Sequence, residues 1–257
     1  MNQQSAESRE SGFADPHTAV PETIRRISGS HPVVPVWVNG DGGVTFQIGT
    51  GVALRFAKWA PDSSGIDLGS EAVRLRWASR YAKVPKVLDF GSSKDGTWLV
   101  TAGLAGESAV TDHWKSQPAV AVRIAGAGLR ELHEALPVAE CPFDWSIETR
   151  LKVAPWTAAS ADRLPAPAPP IDQLVVCHGD ACVPNTLIDE AGRFSGHVDL
   201  GSLGVADRWA DLAVGTWSTE WNYGPGWEDL YLASYGVEPD PSRISYYRVL
   251  WDLAHPV

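Results

Sequence analysis

The chain has 257 residues, 44% of them hydrophobic, which is enough for a packed core in one large domain or two lobes. Its formal net charge of -10 argues against nucleic acid or an anionic membrane as a partner, although acidity that only aids solubility explains the charge equally well. The three cysteines follow no zinc-binding pattern and no secretory segment, which predicts reduced thiols in a cytoplasmic protein, and no apolar run approaches the length of a membrane span.

The first part of the chain predicts a tail followed by a sheet. Residues 1–20 are polar and predict a flexible N-terminal tail. From His31 to Thr101, short β-branched segments alternate with glycine-rich turns, which predicts an antiparallel meander. One helix is expected between Gly65 and Tyr81, with Val73, Leu75 and Trp77 partly facing inward. Residues 21–103 are therefore predicted to form an N-terminal lobe.

The rest of the chain, residues 104–257, has a helical character. Hydrophobic residues recur at helical spacing from Ala119 to Leu136, and the proline-rich run from Arg163 to Pro170 predicts a stiff extended connection before the strand LVVC. The small-residue segment from Ala102 to Ser108 joins the two parts. Together they predict an α+β fold of two lobes with a cleft between them.

The segment VVCHGDACVPN ends a strand with a histidine, a carboxylate and a carboxamide, and the following hairpin is expected to continue as a strand to Asp199. Phosphoryl transfer from ATP needs an Asp that orients or deprotonates the acceptor hydroxyl, and an Asn and a second Asp that hold Mg²⁺. Asp180, Asn185 and Asp199 supply these residue types with the spacing of kinase catalytic loops. The Asp-to-Asn spacing alone occurs by chance in many loops, but with HGD and DLG it indicates a kinase site.

A family resemblance accompanies these motifs. CHGDACVPN, GRFSG and DLGSLGVADRWADLA resemble the catalytic and metal-binding segments of the aminoglycoside phosphotransferases, most closely the 3'-phosphotransferase branch. The likeness extends to CPFDW and YGVEPDPSRISYYRVL, so it covers most of the chain after Gly103. It implies a protein-kinase-like bilobal fold, in which residues 21–103 bind the nucleotide and the mainly helical C-terminal lobe, residues 104–257, carries catalysis and substrate binding. It also implies ATP and Mg²⁺ as cofactors and phosphorylation of an antibiotic, hence antibiotic resistance.

The resemblance also implies roles for residues outside the catalytic loop. A kinase-like fold needs a strand lysine on the phosphates and a helix carboxylate that holds it, and Lys58 and Glu71 are in position, although each is equally well explained as an exposed charge. The turn NGDGG offers the N–H groups of Gly42 and Gly43 to the phosphates, although a plain type I' turn explains it equally well. His178 is expected to brace the catalytic loop rather than to act on substrate.

The acceptor side departs from the family pattern. An acceptor with several ammonium groups requires several carboxylates, yet the acidic loop before the catalytic strand is reduced to ADRLPAPAPP, and Ser202 replaces the usual arginine. Several of the twelve tryptophans cluster near the expected acceptor site, where they either stack on the acceptor or fill the core. The predicted substrate-binding residues are Glu220, Glu228, Asp229 and Asp252.

Three functions remain open at this stage, each with a small molecule as partner and no defined oligomeric state. The leading hypothesis is an ATP-dependent aminoglycoside O-phosphotransferase that acts on a 3'-type hydroxyl. The second keeps the kinase but changes the acceptor to a less cationic sugar, macrolide or metabolite, because the acidic set is thin. The third is a catalytically idle, kinase-like binding protein, against which the intact Asp180, Asn185, Asp199 and Lys58 count.

Overall fold

The structure, a computed structural model, describes residues 11–153, 163–164 and 167–254. The described residues divide into two compact units, the first with residues 11–76 and 85–103, the second with residues 77–84 and 104–254. The lobe boundaries drawn from the sequence stay a prediction. Within the described residues, no helix is both long and apolar enough to cross a bilayer.

The first unit is built on a six-stranded antiparallel sheet with the order β1-β2-β3-β4-β6-β5. Most neighbours in this order are also neighbours in sequence, as in the predicted meander. The strands β1 to β6 are, in turn, Gly12–Phe13, Val33–Val38, Val44–Ile48, Arg55–Ala60, Val87–Ser93 and Gly96–Ala102. The first of them falls inside the segment predicted to be a flexible tail.

Two α-helices occur in this part of the chain, where the sequence predicted one. Helix α1, Glu22–Ser28, is only seven residues long, so its apolar spacing gave no periodic signal. Helix α2, Leu68–Ala78, begins later than predicted, and Val73 faces solvent, 52% exposed, rather than the core. Ile24 of α1 packs on the sheet in a core with Phe46, Ile48, Ala57 and Val100, and short 3₁₀ turns occupy Gly51–Ala53 and Asp62–Ser64.

The second unit is mainly helical in its described residues, and the long helix predicted from Ala119 to Leu136 is present as α4. This helix packs against α7, and α6 packs against α8. Because the first unit holds the antiparallel sheet and the second the helices, the predicted α+β class is confirmed. Helices α3 to α8 are, in turn, Asp112–Lys115, Pro118–Ala135, Ile147–Val153, Trp209–Tyr223, Glu228–Tyr235 and Pro241–Ala254.

Two small antiparallel sheets of the second unit position the catalytic segments. Their orders are β10-β9-β7 and β11-β8. Cys177 at the end of β8 pairs with Gly204 at the start of β11, so the loops that follow and precede them lie side by side. Strands β7 to β11 are Glu107–Ser108, Leu174–Cys177, Thr186–Ile188, Phe194–His197 and Gly204–Asp207, with 3₁₀ turns at Val138–Glu140 and Val183–Asn185.

Candidate active site

His178 ties two loops of the second unit together. Its buried imidazole accepts the backbone N–H of Asp180 at Nδ1, at 3.3 Å, and its Nε2 lies 2.9 Å from the carbonyl oxygen of Val198. Because a backbone N–H can only donate, Nδ1 carries no proton and Nε2 donates to Val198. One neutral ring therefore fixes the start of the catalytic loop against the residue that precedes Asp199.

Asp180 and Asn185 are held together through the side chain of Asn185. Its Nδ2 donates to the carbonyl oxygen of Asp180 at 3.0 Å and to Oδ2 of the same residue at 3.1 Å. A 3₁₀ turn that begins at Val183 sets the spacing between the two, with the N–H of Asn185 bonded to the carbonyl of Cys182. The other carboxylate oxygen of Asp180, Oδ1, is buried and has no hydrogen-bond partner among the described residues.

Asp199 has an unusual backbone conformation. Its φ is +65°, the one positive φ of a non-glycine residue in the described ranges. The sequence predicted that the strand would continue to Asp199, but β10 ends at His197 and the chain turns, with the N–H of Val198 bonded to the carbonyl of Asn185 at 3.0 Å. Left-handed backbone at a non-glycine residue is costly and concentrates at functional sites. The turn brings Asp199 next to Asn185.

The carboxylate of Asp211 holds the start of the loop that contains Asp180. Its carboxylate accepts the backbone N–H of His178 at 2.5 Å and that of Gly179 at 2.9 Å, and His133 lies 2.9 Å from it. The other ring nitrogen of His133 lies 2.9 Å from the hydroxyl of Tyr235. Burial alone raises the pKa of Asp211, but the hydrogen bond and charge of His133, with the loop amides, bring that pKa below its ordinary value.

Gly179 can only be glycine. Its φ is +87°, and an added Cβ would lie 2.2 Å from the carbonyl oxygen of Ser202. The Gly of the HGD motif thus lets the catalytic loop approach the loop that contains Asp199. Sequence reasoning missed His133 and Tyr235 as partners of this anchor, because nothing in a single sequence links positions so far apart.

The first unit holds Lys58 and Glu71 as an ion pair. Lys58 Nζ, on the central strand β4, lies 2.8 Å from Oε1 and 2.9 Å from Oε2 of Glu71 on α2. The side chains are 24% and 5% exposed, so the explanation of Glu71 as a solvated surface charge is wrong. Glu71 therefore holds the ammonium group of Lys58 in place, while about a quarter of the lysine side chain stays accessible to solvent.

Gly42 and Gly43 lie in the hairpin turn between β2 and β3. Gly42 has a φ of +86°, and its N–H bonds to the carbonyl of Asn39 at 3.0 Å. The N–H of Gly43 bonds to Oδ1 of Asn39 at 2.6 Å. Since both donors are occupied within the turn, the geometry favours the plain hairpin turn over the predicted phosphate contact, which stays a prediction.

Three of the four predicted substrate-binding acids line one pocket of the second unit. Glu228, Asp229 and Asp252 contribute to a pocket of about 570 Å³ between α7 and α8. Two of them are already paired, Glu228 with Arg248 at 3.0 Å and Asp252 with Arg163. The arginines neutralise much of the negative charge that the sequence placed here.

Glu220, the fourth acid, lies elsewhere, exposed on α6, in a helix that also carries Trp217 and Trp221. These two rings contact each other and Trp251 of α8. Trp209 is 3% exposed and belongs to the core, whereas Trp251 stands in the partly exposed ring cluster.

Residues 42–247 match the sequence profile of the phosphotransferase enzyme family. The chain belongs to this family. An aminoglycoside 3'-phosphotransferase of Streptomyces fradiae is 34% identical over 266 aligned positions, which cover 89% of this chain and 97% of that relative. A streptomycin 3''-kinase of Streptomyces griseus is 33% identical and covers 76% of this chain and 83% of its own length. The predicted family membership, and with it the class of O-phosphotransferase enzymes, is confirmed.

Solved structures of this family superpose on the chain. A type VIII aminoglycoside 3'-phosphotransferase matches with a TM-score of 0.72 at 28% identity, over 90% of this chain and 96% of that one. A 3''-type aminoglycoside phosphotransferase from Streptomyces rimosus, solved with ADP and streptomycin, matches with a TM-score of 0.66 at 28% identity over the same shares. The kinase-like fold predicted for the phosphotransferase is confirmed by these matches.

Proposed function

We propose that this phosphotransferase moves the γ-phosphoryl group of ATP to a 3'-type hydroxyl of an aminoglycoside, with Mg²⁺ as cofactor. One observation carries the proposal: the side chain of Asn185 is bonded to Asp180, and the carbonyl of Asn185 accepts the N–H of Val198, the residue before Asp199. Support comes from relatives named aminoglycoside 3'-phosphotransferase, and from a related structure that contains ADP and streptomycin.

Asp180 is proposed to orient the acceptor hydroxyl and to take its proton. One carboxylate oxygen is engaged by Asn185, and the other, Oδ1, is buried without a described partner. A carboxylate takes the proton of an acceptor hydroxyl that comes within hydrogen-bond reach of it, which is the role of a general base in phosphoryl transfer. His178 and Asp211 fix the backbone on either side of this carboxylate, so we propose positioning roles for both.

Asn185 and Asp199 fit a magnesium site by the chemistry of their donor atoms. Mg²⁺ prefers oxygen ligands, and here they are a carboxylate and the carboxamide oxygen that Asn185 retains once its Nδ2 is bonded to Asp180. Bound Mg²⁺ would neutralise charge on the phosphate oxygens during transfer. The contribution of the protein is to keep both oxygens fixed before the nucleotide arrives.

Lys58 is proposed to hold the α and β phosphates, with Glu71 as the group that keeps the ammonium in place. Both carboxylate oxygens of Glu71 contact Nζ, which restricts an otherwise flexible side chain. Gly42 and Gly43 are proposed to shape the neighbouring turn. On the acceptor side, Glu220 and Asp229 form no ion pair within the described ranges and are proposed to meet ammonium groups.

The proposal is tested by ADP release from Mg-ATP with kanamycin, neomycin, streptomycin, a macrolide or no acceptor. We expect stimulation by an aminoglycoside that Asp180→Asn abolishes and that removal of Mg²⁺ also abolishes. Asp189→Asn is the matched control, since Asp189 lies in the turn of the β9–β10 hairpin and pairs only with Arg193 and nearby amides. Equal stimulation in both variants, or stimulation by the macrolide alone, would contradict the proposal.

A further inference from the structure

Three tryptophans of the second unit form a continuous aromatic surface, the tryptophan wall, made of Trp217, Trp221 and Trp251. Trp217 and Trp221 lie one turn apart on α6, with ring centroids 4.8 Å apart. Trp251 of α8 lies 5.7 Å from Trp221 and 6.4 Å from Trp217. Trp221 is 48% exposed. Trp217 and Trp251 are partly buried beside it. An exposed ring that continues into a cluster of partly buried rings is typical of a binding surface.

The tryptophan wall is attached to the catalytic loop through its own helix. Ser218, between the two α6 tryptophans in sequence, accepts the backbone N–H of Val183 at 3.0 Å through its hydroxyl. Val183 begins the 3₁₀ turn that ends at Asn185. Asn222, one turn further along α6, donates to both the carbonyl and the hydroxyl of Ser218. The same rigid turn of helix therefore positions the catalytic loop and two of the three rings.

Two acids near the tryptophan wall are paired with arginines, whereas Glu220, between Trp217 and Trp221 on α6, forms no ion pair among the described residues. Asp252, beside Trp251 in sequence, pairs with Arg163, and Glu228 pairs with Arg248. The guanidinium group of Arg248 lies 5.5 Å from the ring centroid of Trp217. One indole face thus already holds a cation, and two arginines stand where a polycationic ligand would need free carboxylates.

We propose that the tryptophan wall binds the acceptor by stacking on a sugar face and selects aminoglycosides with fewer ammonium groups over those with more. This inference rests on the proposed function and deepens it, since it names the class of acceptor. Binding by stacking depends on apolar contact and on short-range cation–π attraction, whereas binding by exposed carboxylates is screened by salt. Kanamycin, which carries fewer ammonium groups than neomycin, is the better ligand on this account.

The test is isothermal titration of kanamycin and neomycin into the full-length protein with Mg-ADP, at about 20 and 200 mM NaCl, where screening differs strongly. We expect Trp221→Ala to raise the Kd for kanamycin roughly 3- to 30-fold, and Trp221→Phe to stay within about threefold of wild type. Glu220→Gln is expected to change the Kd less than Trp221→Ala. Trp37→Ala, which removes a half-buried indole from the first unit, is the matched control and leaves the Kd unchanged.

Each other result overturns part of the account. If kanamycin binds and Trp221→Ala has the wild-type Kd, the tryptophan wall is not the acceptor surface, while the proposed function stands. Tighter binding of neomycin, with a steep loss at high salt and a larger effect of Glu220→Gln, also overturns the inference. If neither compound binds but ATP is still hydrolysed in an Asp180-dependent reaction, the inference and the aminoglycoside acceptor both fail and only the kinase remains.

Discussion

The loop that holds Asp180 and the tryptophan wall of the second unit are stabilised in different ways. The backbone N–H groups of His178, Gly179 and Asp180 are bonded to buried side chains, namely the carboxylate of Asp211 and the ring of His178. The tryptophan wall instead presents partly exposed rings, and Trp221 has about half of its surface in water. The first region is a network of buried polar contacts, and the second is a partly exposed aromatic face. Helix α6 contributes to both, through Asp211 to the first and through Trp217 and Trp221 to the second.

This difference shows which part of a phosphotransferase can vary. Phosphoryl transfer depends on charges in one fixed arrangement, so each of its groups needs a partner that holds it. An acceptor surface needs only complementary shape and charge, and here aromatic rings and arginine-paired acids stand where the family resemblance led us to expect several free carboxylates. The predictions below challenge this contrast, beginning with the largest expected effect.

The first concerns the catalytic carboxylate. Asp180→Asn is expected to lower kcat by about 10²- to 10⁴-fold, the usual contribution of a general base, because a carboxamide cannot take the proton. The KM for ATP and the melting temperature should stay close to wild type, since the amide has the same size. Steady-state ADP release and thermal unfolding measure both. A melting temperature below the assay temperature would mean that the variant is unfolded rather than inactive.

The second concerns the buried anchor of the loop. Each carboxylate oxygen of Asp211 accepts one loop N–H, from His178 or from Gly179, and Asp211→Asn turns one of these oxygens into a donor that faces such an N–H. The substitution also removes a buried charge. We expect it to cost about 3–5 kcal/mol in the free energy of unfolding. Denaturant unfolding measures this cost. Asp207→Asn is the matched control, since Asp207 is equally buried but accepts the N–H groups of Asp172 and Trp209.

The two variants separate stability from catalysis. Both should be destabilised, but only Asp211→Asn should lose kcat at temperatures where the protein is folded. Because the pKa of Asp211 lies below its ordinary value of 3.8 in the folded protein, its contribution is complete above that pH and is lost as the pH falls through the folded pKa. The stability difference between wild type and Asp211→Asn should therefore shrink below about pH 4. A constant difference down to pH 2 would contradict the pKa direction.

The third prediction tests the ion pair of the first unit. Glu71→Gln leaves Lys58 with a neutral partner and is expected to cost about 1.5–3 kcal/mol of unfolding free energy, the scale of a hydrogen bond between charged groups. The KM for ATP should rise because Nζ is no longer held. Glu22→Gln, at an exposed glutamate that lies 3.7 Å from Arg25, should change neither quantity. An unchanged KM for ATP in Glu71→Gln would contradict the proposal that Lys58, held by Glu71, binds the phosphates.

The smallest expected effect is at the hairpin turn. Gly42→Ala places a side chain at a φ of +86° and should cost about 1 kcal/mol of stability. The KM for ATP should stay close to that of the wild type, because the turn amides already bond to Asn39. Gly12→Ala, where an added Cβ meets nothing within 4 Å, is the control. A large rise in KM for Gly42→Ala alone would restore the phosphate contact predicted from the sequence.

The parts of the molecule that the sequence predicted are those with a local signal. Glycine-rich turns between β-branched runs predicted the antiparallel sheet, and the His-Gly-Asp motif with a nearby Asn and a later Asp predicted which residues the two loops bring together. The strand lysine and the helix glutamate also lie in contact, Lys58 with Glu71, where the kinase-like resemblance placed them.

The parts that were missed depend on contacts between distant residues or on short elements. Helix α1 has too few residues for a periodic pattern, and β10 stops before Asp199 because the chain turns there in a left-handed conformation. The pairing of Asp252 with Arg163 joins segments far apart in the chain, so the acids could not be recognised as compensated. The same holds for His133, which meets Asp211 only in the folded protein.

The central claim, transfer of a phosphoryl group to an aminoglycoside hydroxyl, is tested most directly by mass spectrometry of kanamycin after incubation with the protein and Mg-ATP. The account predicts kanamycin with one added phosphoryl group, formed in step with ADP and absent with Asp180→Asn or without Mg²⁺. ADP and inorganic phosphate formed at the same rate, with kanamycin unmodified, would contradict it.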